Sequence, residues 1–199
     1  MGYAFILHFH IIVWWGLLVD SLLVIDMLND FVYGALKCDA ALKIIPNIRL
    51  LIDAAREIGV PVIYVNDSHL PNVDGEFKKW GSHAVRGSHG AMVIDELKPS
   101  SSDFIVEKRR YSGFYGTDLY VLLRELNVDT LILTGIHTHI CVMHTAADAF
   151  YHGYKLIVPS DCVAAFNVDD HNIGLRFMHE LYGAEIVNSK DILKRWGAA

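Results

Sequence analysis

The chain has 199 residues, 53% of them apolar and 20% charged, and its 17 basic and 23 acidic side chains give a formal net charge of -6. At roughly 150 residues per domain this is one domain, long enough to bury about 70% of its unfolded surface without disulfide or metal staples. Ordinary Gly and Pro counts with high hydrophobicity exclude collagen-like and disordered chains, and the acidic balance excludes a broad nucleic-acid footprint.

Met1 to Asp20 (MGYAFILHFHIIVWWGLLVD) holds 15 apolar residues in 20 and no Lys or Arg. Its Gly2–Val19 run has the length of a minimal membrane span. His8, His10 and the missing basic flank oppose a span. A signal peptide is opposed by the missing positive n-region and cleavage site. Two readings stand: an anchor or interfacial helix, or a dispensable extension. Ser21–Ile25 already reads as a complete core strand, so the extension is preferred, with residues 1–20 outside a single domain spanning 21–199. Mean hydropathy is +0.30; without the first twenty residues it falls to about +0.17, which suits a sheet covered on both faces and needs no membrane.

From Ser21 onward short apolar runs alternate with helical patterns. Leu22–Ile25, Val60–Val65, Phe104–Val106, Thr130–Thr134, Lys155–Val158 and Glu185–Val187 are the predicted strands, mostly apolar throughout. Ile45–Ile58, opening at Pro46 and stopping at Gly59, is a predicted helix. Thr117–Leu126, Ile140–His152 and Asp169–Tyr182 are the others. The expectation is an α/β fold: a three-layer, doubly wound, Rossmann-like domain with a mostly parallel six-stranded sheet and helices on both faces. His69–Gly90 is too long for a simple connection and rich in His, Asp, Gly and Trp, which marks it as functional.

Ligands in such sheets sit beyond the carboxyl ends of the strands. Asp26, Asp67, Lys108 and the His137–Cys141 segment follow strands one to four. Each alone has a plain structural explanation: a turn residue, a solvated charge beside Arg109 and Arg110, a small core thiol. Together they place an acid, a cation and a thiol on one face. Only three cysteines occur, Cys38, Cys141 and Cys162, with no CxxC pair, which fits a reducing, cytoplasmic compartment. Cys141 at a helix start, with Lys108 nearby, suits a thiolate nucleophile. Asp26 is placed to take the thiol proton and return it to a leaving amine. N–H groups of the Gly135–Cys141 bend suit an oxyanion. That chemistry is acyl transfer from an amide or ester through a thioester.

VIDMLNDF (Val24–Phe31), VEKRRYSGFYGTDL (Val106–Leu119) and GIHTHICVMHTAADAF (Gly135–Phe150) resemble the isochorismatase-like cysteine hydrolases over about Leu22–Ile192, with nicotinamidases the nearest members. The resemblance implies a catalytic triad of Asp26, Lys108 and Cys141. It also implies a non-proline cis peptide between Ile136 and His137 that presents the His137 and Cys141 N–H groups to the oxyanion. Isochorismatases proper act on a vinyl ether and typically lack the nucleophilic Cys, so Cys141 points to amide hydrolysis.

Asp67-Ser68-His69 is a DxH pair, followed at seven-residue steps by Glu76 and His83. Carboxylate and imidazole ligands suit Zn²⁺, Mn²⁺ or Fe²⁺. Likeness to nicotinamidases implies a divalent metal, Zn²⁺ first, held by Asp67, His69, Glu76 and His83. There it binds the substrate's pyridine nitrogen. The plain alternative is a polar loop with incidental His, and His89 competes for the last position. On spacing alone His137, His139, Cys141 and His144 form a rival cluster, but a closed site there would tie up the thiolate. Phe31, Trp80 and Tyr111 match aromatic walls of the nicotinamidase pocket, or are plain core. The expectation is therefore a metal-assisted amidohydrolase of a small-molecule amide, nicotinamide first. The family likeness implies a homo-oligomer, dimer or tetramer, and no nucleic-acid or membrane partner is expected. An amidase for N-carbamoyl or ureido substrates, and a non-catalytic interaction protein on the same fold, are the alternatives.

Overall fold

The structure is a computed structural model and describes residues 19–198; the apolar run expected to be an extension lies almost entirely outside the described residues. β1 (Asp20–Ile25), β2 (Val62–Asp67), β3 (Phe104–Lys108), β4 (Thr130–Ile136), β5 (Lys155–Pro159), β6 (Val163–Ala164) and β7 (Glu185–Val187) form one sheet. Its order is β3-β2-β1-β4-β5-β7, with β6 beside β4, and every pairing is parallel. The six predicted strands are all present. The seventh, β6, is two residues long and pairs only with Gly135 and Ile136, too short to leave a hydrophobic period.

Between the strands lie α1 (Asn29–Val32), α2 (Ala41–Ile58), α3 (Phe77–Trp80), α4 (Leu119–Glu125), α5 (Met143–Tyr151), α6 (Val168–Tyr182) and α7 (Ser189–Arg195). Side chains alternate across β1, so its residues feed two cores. Leu22 and Val24 meet Ile48, Leu51 and Ile52 of α2 and Ile192 of α7. Leu23 and Ile25 meet Leu123 of α4, Ala146 and Ala149 of α5, and Met178 of α6. Each large aliphatic side chain buried this way contributes roughly 1.5–3 kcal/mol. The result is three layers with helices on both faces.

Several element ends differ from expectation. α2 begins at Ala41, with Pro46 inside it; Ala41, Ile44 and Ile45 are buried, and packing that stripe outweighs the hydrogen bond that the proline forgoes. β2 and β3 run on to Asp67 and Lys108, so both residues end strands rather than follow them. α7 has no counterpart among the predicted helices, although Asn188 and Asp191 form a capping box at its start, a legible N-terminal signal. Asp20, which composition groups with the apolar run, is buried in β1. Its carboxylate accepts from Arg195 and from Trp196 Nε1, each at 2.9 Å, so the core reaches back at least to Asp20. Among the described residues no helix is long and apolar enough to cross a membrane.

β1 has β2 on one side and β4 on the other, and the chain crosses from one half of the sheet to the other between β3 and β4. The crevice at the carboxyl ends of β1 and β4 is therefore the switch point at which open α/β sheets bind ligands.

Candidate active site

Cys141 reaches this crevice through an unusual bend. β4 ends at Ile136, the Ile136–His137 peptide is cis, and Thr138–Val142 form a π-helical turn that leads into α5. The regular α-helical start expected at Ile140 is replaced by this wider turn, a device often found at functional positions. Gly135 makes the approach possible: its φ is +104°, and a Cβ there would lie 1.9 Å from the Ile25 carbonyl oxygen, so only glycine fits. On the far side Gly174 of α6 lets that helix close on the turn, where a Cβ would come 2.9 Å from the His139 nitrogen.

Asp26, Lys108 and Cys141 come together. Lys108 Nζ lies 2.7 Å from Asp26 Oδ2, 2.6 Å from Asp67 Oδ1 and 3.6 Å from Cys141 Sγ. Asp26 Oδ1 accepts from the Asp67 N–H at 2.7 Å. All four residues are buried. A lone cation among two carboxylates stays charged: burial pulls the Lys108 ammonium down, but Asp26 and Asp67 outweigh it and raise its pKa well above the ordinary value. Burial and the Asp67 charge push Asp26 up to about 6 against the pull of Lys108. Burial likewise raises the Cys141 thiol well above its ordinary value; Lys108 opposes this, and the two carboxylates reinforce it. The free site thus holds a protonated sulfur beside a carboxylate whose affinity for protons suits acid–base exchange near neutrality.

Beside the thiol cluster, Asp67, His69 and His83 bring one donor atom each within 4.8 Å of one another, all buried. His69 Nε2 is 3.6 Å from Asp67 Oδ2 and 3.9 Å from Glu76 Oε2. The ring contacts fit ligation; burial lowers the His69 pKa, but Asp67, Glu76 and Asp74 outweigh it and raise it, so a cation bound there would displace a proton from that ring. His69 Nδ1 is bonded to Asp74 Oδ2 at 3.2 Å, which leaves Nε2 buried with no hydrogen-bond partner. His83 Nδ1 donates to the Gly81 carbonyl at 2.8 Å. Tying one ring nitrogen to oxygen orients the other toward a metal. Burial, with His69 adding to it, lowers the His83 pKa and so favours the neutral imidazole that ligation needs. Burial raises the Glu76 carboxyl, with Asp67 adding to it; a divalent cation among these groups would supply the missing positive charge. Two carboxylates and two imidazoles suit Zn²⁺, Mn²⁺ or Fe²⁺.

The competing arrangements separate. His89 sits on a short 3-10 turn, His89–Ala91, and lines a different cavity from the thiol. The His137, His139, Cys141, His144 set diverges. His137 stacks on Phe166 with ring centroids 4.0 Å apart. His139 Nε2 faces Asp170 at 3.7 Å, and His144 Nδ1 donates to the Ile140 carbonyl at 2.8 Å. His137, driven down to about 3 by burial and neighbouring His139, stays neutral.

A narrow cleft joins the thiol to the metal-type cluster, with Asp67, Glu76, His83, His137 and Cys141 in its wall. Phe31, Trp80 and Tyr111 line it together, and Trp80 Nε1 donates to the Tyr111 hydroxyl at 3.0 Å. Sequence reasoning missed Leu36, Ile140 and Phe166, which complete the apolar walls. Phe166 faces Trp80 in a stacked arrangement at 6.3 Å. It follows β6, and without that strand nothing located the residue at the sheet's carboxyl end. Aromatic walls of this kind suit a small flat ligand.

Residues 20–191 match the isochorismatase domain family. Among solved structures, an N-carbamoylsarcosine amidase from Thermoplasma acidophilum is similar at 44% identity and a TM-score of 0.80, over 85% of this chain and 96% of that one. Nicotinamidase PncA from Bacillus subtilis is similar at 34% identity and 0.82, over 86% of this chain and 100% of the other. A pyrazinamidase of Pyrococcus horikoshii, solved in complex with zinc, is similar at 30% identity and 0.80, over 85% and 99%.

Proposed function

The chain belongs to the isochorismatase family of hydrolases, and within it we propose a metal-assisted cysteine amidohydrolase that converts nicotinamide to nicotinate and ammonia. The observation that carries this reading is the shared cleft: Cys141, Asp67 and His83 open onto one aromatic-walled space, and His69, fully buried, completes the donor set beside them. The zinc-bound pyrazinamidase relative supports a metal in such a site.

In this reading Asp26 takes the Cys141 proton as the sulfur attacks the amide carbon. Lys108, 3.6 Å from Sγ, stabilises the developing thiolate and stays protonated. The His137 and Cys141 N–H groups donate to the carbonyl oxygen as it becomes negative. The C–N bond breaks as Asp26 returns the proton to nitrogen, releasing ammonia and leaving a thioester on Cys141. Water, deprotonated by Asp26, then cleaves the thioester, and the proton passes back to the thiolate. A metal held by Asp67, His69 and His83 with Glu76 beside it would supply a Lewis-acidic anchor for a substrate heteroatom. Phe31, Trp80, Tyr111 and Phe166 would hold the ring, so that binding supplies orientation before bond making.

The 44% identity to an N-carbamoylsarcosine amidase favours a second reading, in which the same thiol cleaves an N-carbamoyl amide. Ammonia release from nicotinamide and from N-carbamoylsarcosine, with and without chelator, separates the two. Turnover of nicotinamide that chelation removes supports the first; chelator-insensitive turnover of the carbamoyl compound alone replaces it with the second.

A further inference from the structure

Asp74 is buried in the loop between β2 and α3. Its Oδ2 accepts from the Leu70 N–H at 2.7 Å and contacts His69 Nδ1 at 3.2 Å. Its carboxylate also takes a forked contact from Arg109, with Nε 3.0 and 3.1 Å from the two oxygens and the second donor from Nη2. Arg110 Nη1 lies 3.6 Å from Oδ1. A carboxylate wholly inside a loop, with every near partner a donor, is an anchor rather than a solubilising charge.

The position of Arg109 gives the anchor its meaning. Lys108 and Arg109 are consecutive at the end of β3. Lys108 reaches into the Asp26, Asp67 and Cys141 cluster, whereas Arg109 reaches Asp74 and, through it, His69. One strand end therefore braces both the thiol site and an imidazole of the metal-type site. Asp74 meets the ring at Nδ1 and so turns Nε2 toward Asp67 and Glu76; with a metal on Nε2, the ring proton would sit on Nδ1 against this carboxylate.

We propose that the Arg109–Asp74 pair is a positioning device that sets divalent-metal affinity through His69, independently of the thiol site. This rests on the reading of Asp67, His69 and His83 as metal ligands. Replacing the carboxylate by an amide keeps the size but turns an NH₂ group toward Arg109 or toward Leu70 N–H and His69. The ring then loses its orienting charge, and outer-shell losses of this kind weaken metal binding by about 10–100-fold.

The test is a Zn²⁺ competition titration against a chromophoric chelator, carried out on the wild type and on Asp74→Asn and Arg109→Gln. Alkylation of Cys141 by iodoacetamide in the metal-free proteins, with Cys38→Ala and Cys162→Ala in the background, is followed alongside. The expected result is one Zn²⁺ per wild-type chain. Affinity falls at least tenfold in Asp74→Asn and to a lesser extent in Arg109→Gln, with Cys141 alkylation rates within about twofold of each other. Unchanged affinity in Asp74→Asn with normal binding by the wild type overturns the positioning role and leaves the metal reading standing. No binding by the wild type overturns the metal reading and this inference with it. Equal losses of affinity and of Cys141 alkylation behaviour would show general distortion of the crevice and also overturn the inference. Should Asp74→Asn not fold, Arg109→Gln alone decides, because its side chain is partly exposed.

Discussion

Lys108→Met isolates the electrostatics of the crevice. The ammonium lies 2.7 Å from Asp26 Oδ2 and 2.6 Å from Asp67 Oδ1, and all three groups are buried. Methionine matches the length of the aliphatic stem, so packing changes little and the variant mainly removes charge. Two carboxylates then share a site that lacks its cation. Removing one partner from a buried ionic cluster costs about 3–5 kcal/mol, because the remaining charge is left uncompensated. For a chain of this length that lowers Tm by roughly 6–20 °C. The assay is urea denaturation of chelated protein at pH 7 followed by circular dichroism. Asp26→Asn/Lys108→Met should recover part of the loss, since the amide oxygen of the new side chain can still accept the Asp67 N–H that Oδ1 of Asp26 accepts now, and one of the two facing charges is gone. Both proteins should be inactive. A Lys108→Met protein within about 1 kcal/mol of wild type would refute the view that Lys108 neutralises the crevice.

Cys141→Ala should abolish hydrolysis and leave Tm within a few degrees, because a buried thiol is replaced by a small apolar group; residual activity measured by ammonia release would dismiss the nucleophile. Gly135→Ala should fail to accumulate as folded protein, given the 1.9 Å approach of its Cβ to the Ile25 carbonyl oxygen, and a cooperative thermal transition like that of wild type would contradict the close-packed β1–β4 contact. Burial raises the Asp103 carboxyl, but Arg56 and the Ser100 N–H outweigh it and hold the pKa below the ordinary carboxylate value. The stability it contributes is therefore present above about pH 4 and lost as pH falls through the lower folded value. Asp103→Asn should cost about 2 kcal/mol at pH 7, and the gap should narrow in denaturation at pH 3, which an equal gap at both pH values would disprove.

The fold was legible because its strands are continuously apolar and its helices carry stop signals. Leu22–Ile25 could hardly be anything but a core strand, and Gly59, Gly153 and Gly183 mark chain reversals, each with positive φ. Strand ends were less clear, because Asp67 and Lys108 are charged residues held within the sheet by one another, 2.6 Å apart; a rule that charges end strands stops too soon. That Asp26, Lys108 and Cys141 would meet followed from strand ends and motif together. Asp74 left no trace in composition, since its role depends on Arg109, 35 residues away and brought beside it only by the β2–β3 pairing. Phe166 was hidden for the same kind of reason: its strand, β6, exists only as a two-residue pairing with β4.

The most direct measurement is the turnover of nicotinamide by purified protein loaded with Zn²⁺, read as ammonia release, with mass spectrometry of the quenched enzyme to detect the nicotinoyl thioester. The account predicts turnover that chelator and Cys141→Ala each remove, and a nicotinoyl adduct on the peptide that contains Cys141. Absence of turnover by the metal-loaded wild type, or turnover that persists in Cys141→Ala, would contradict it.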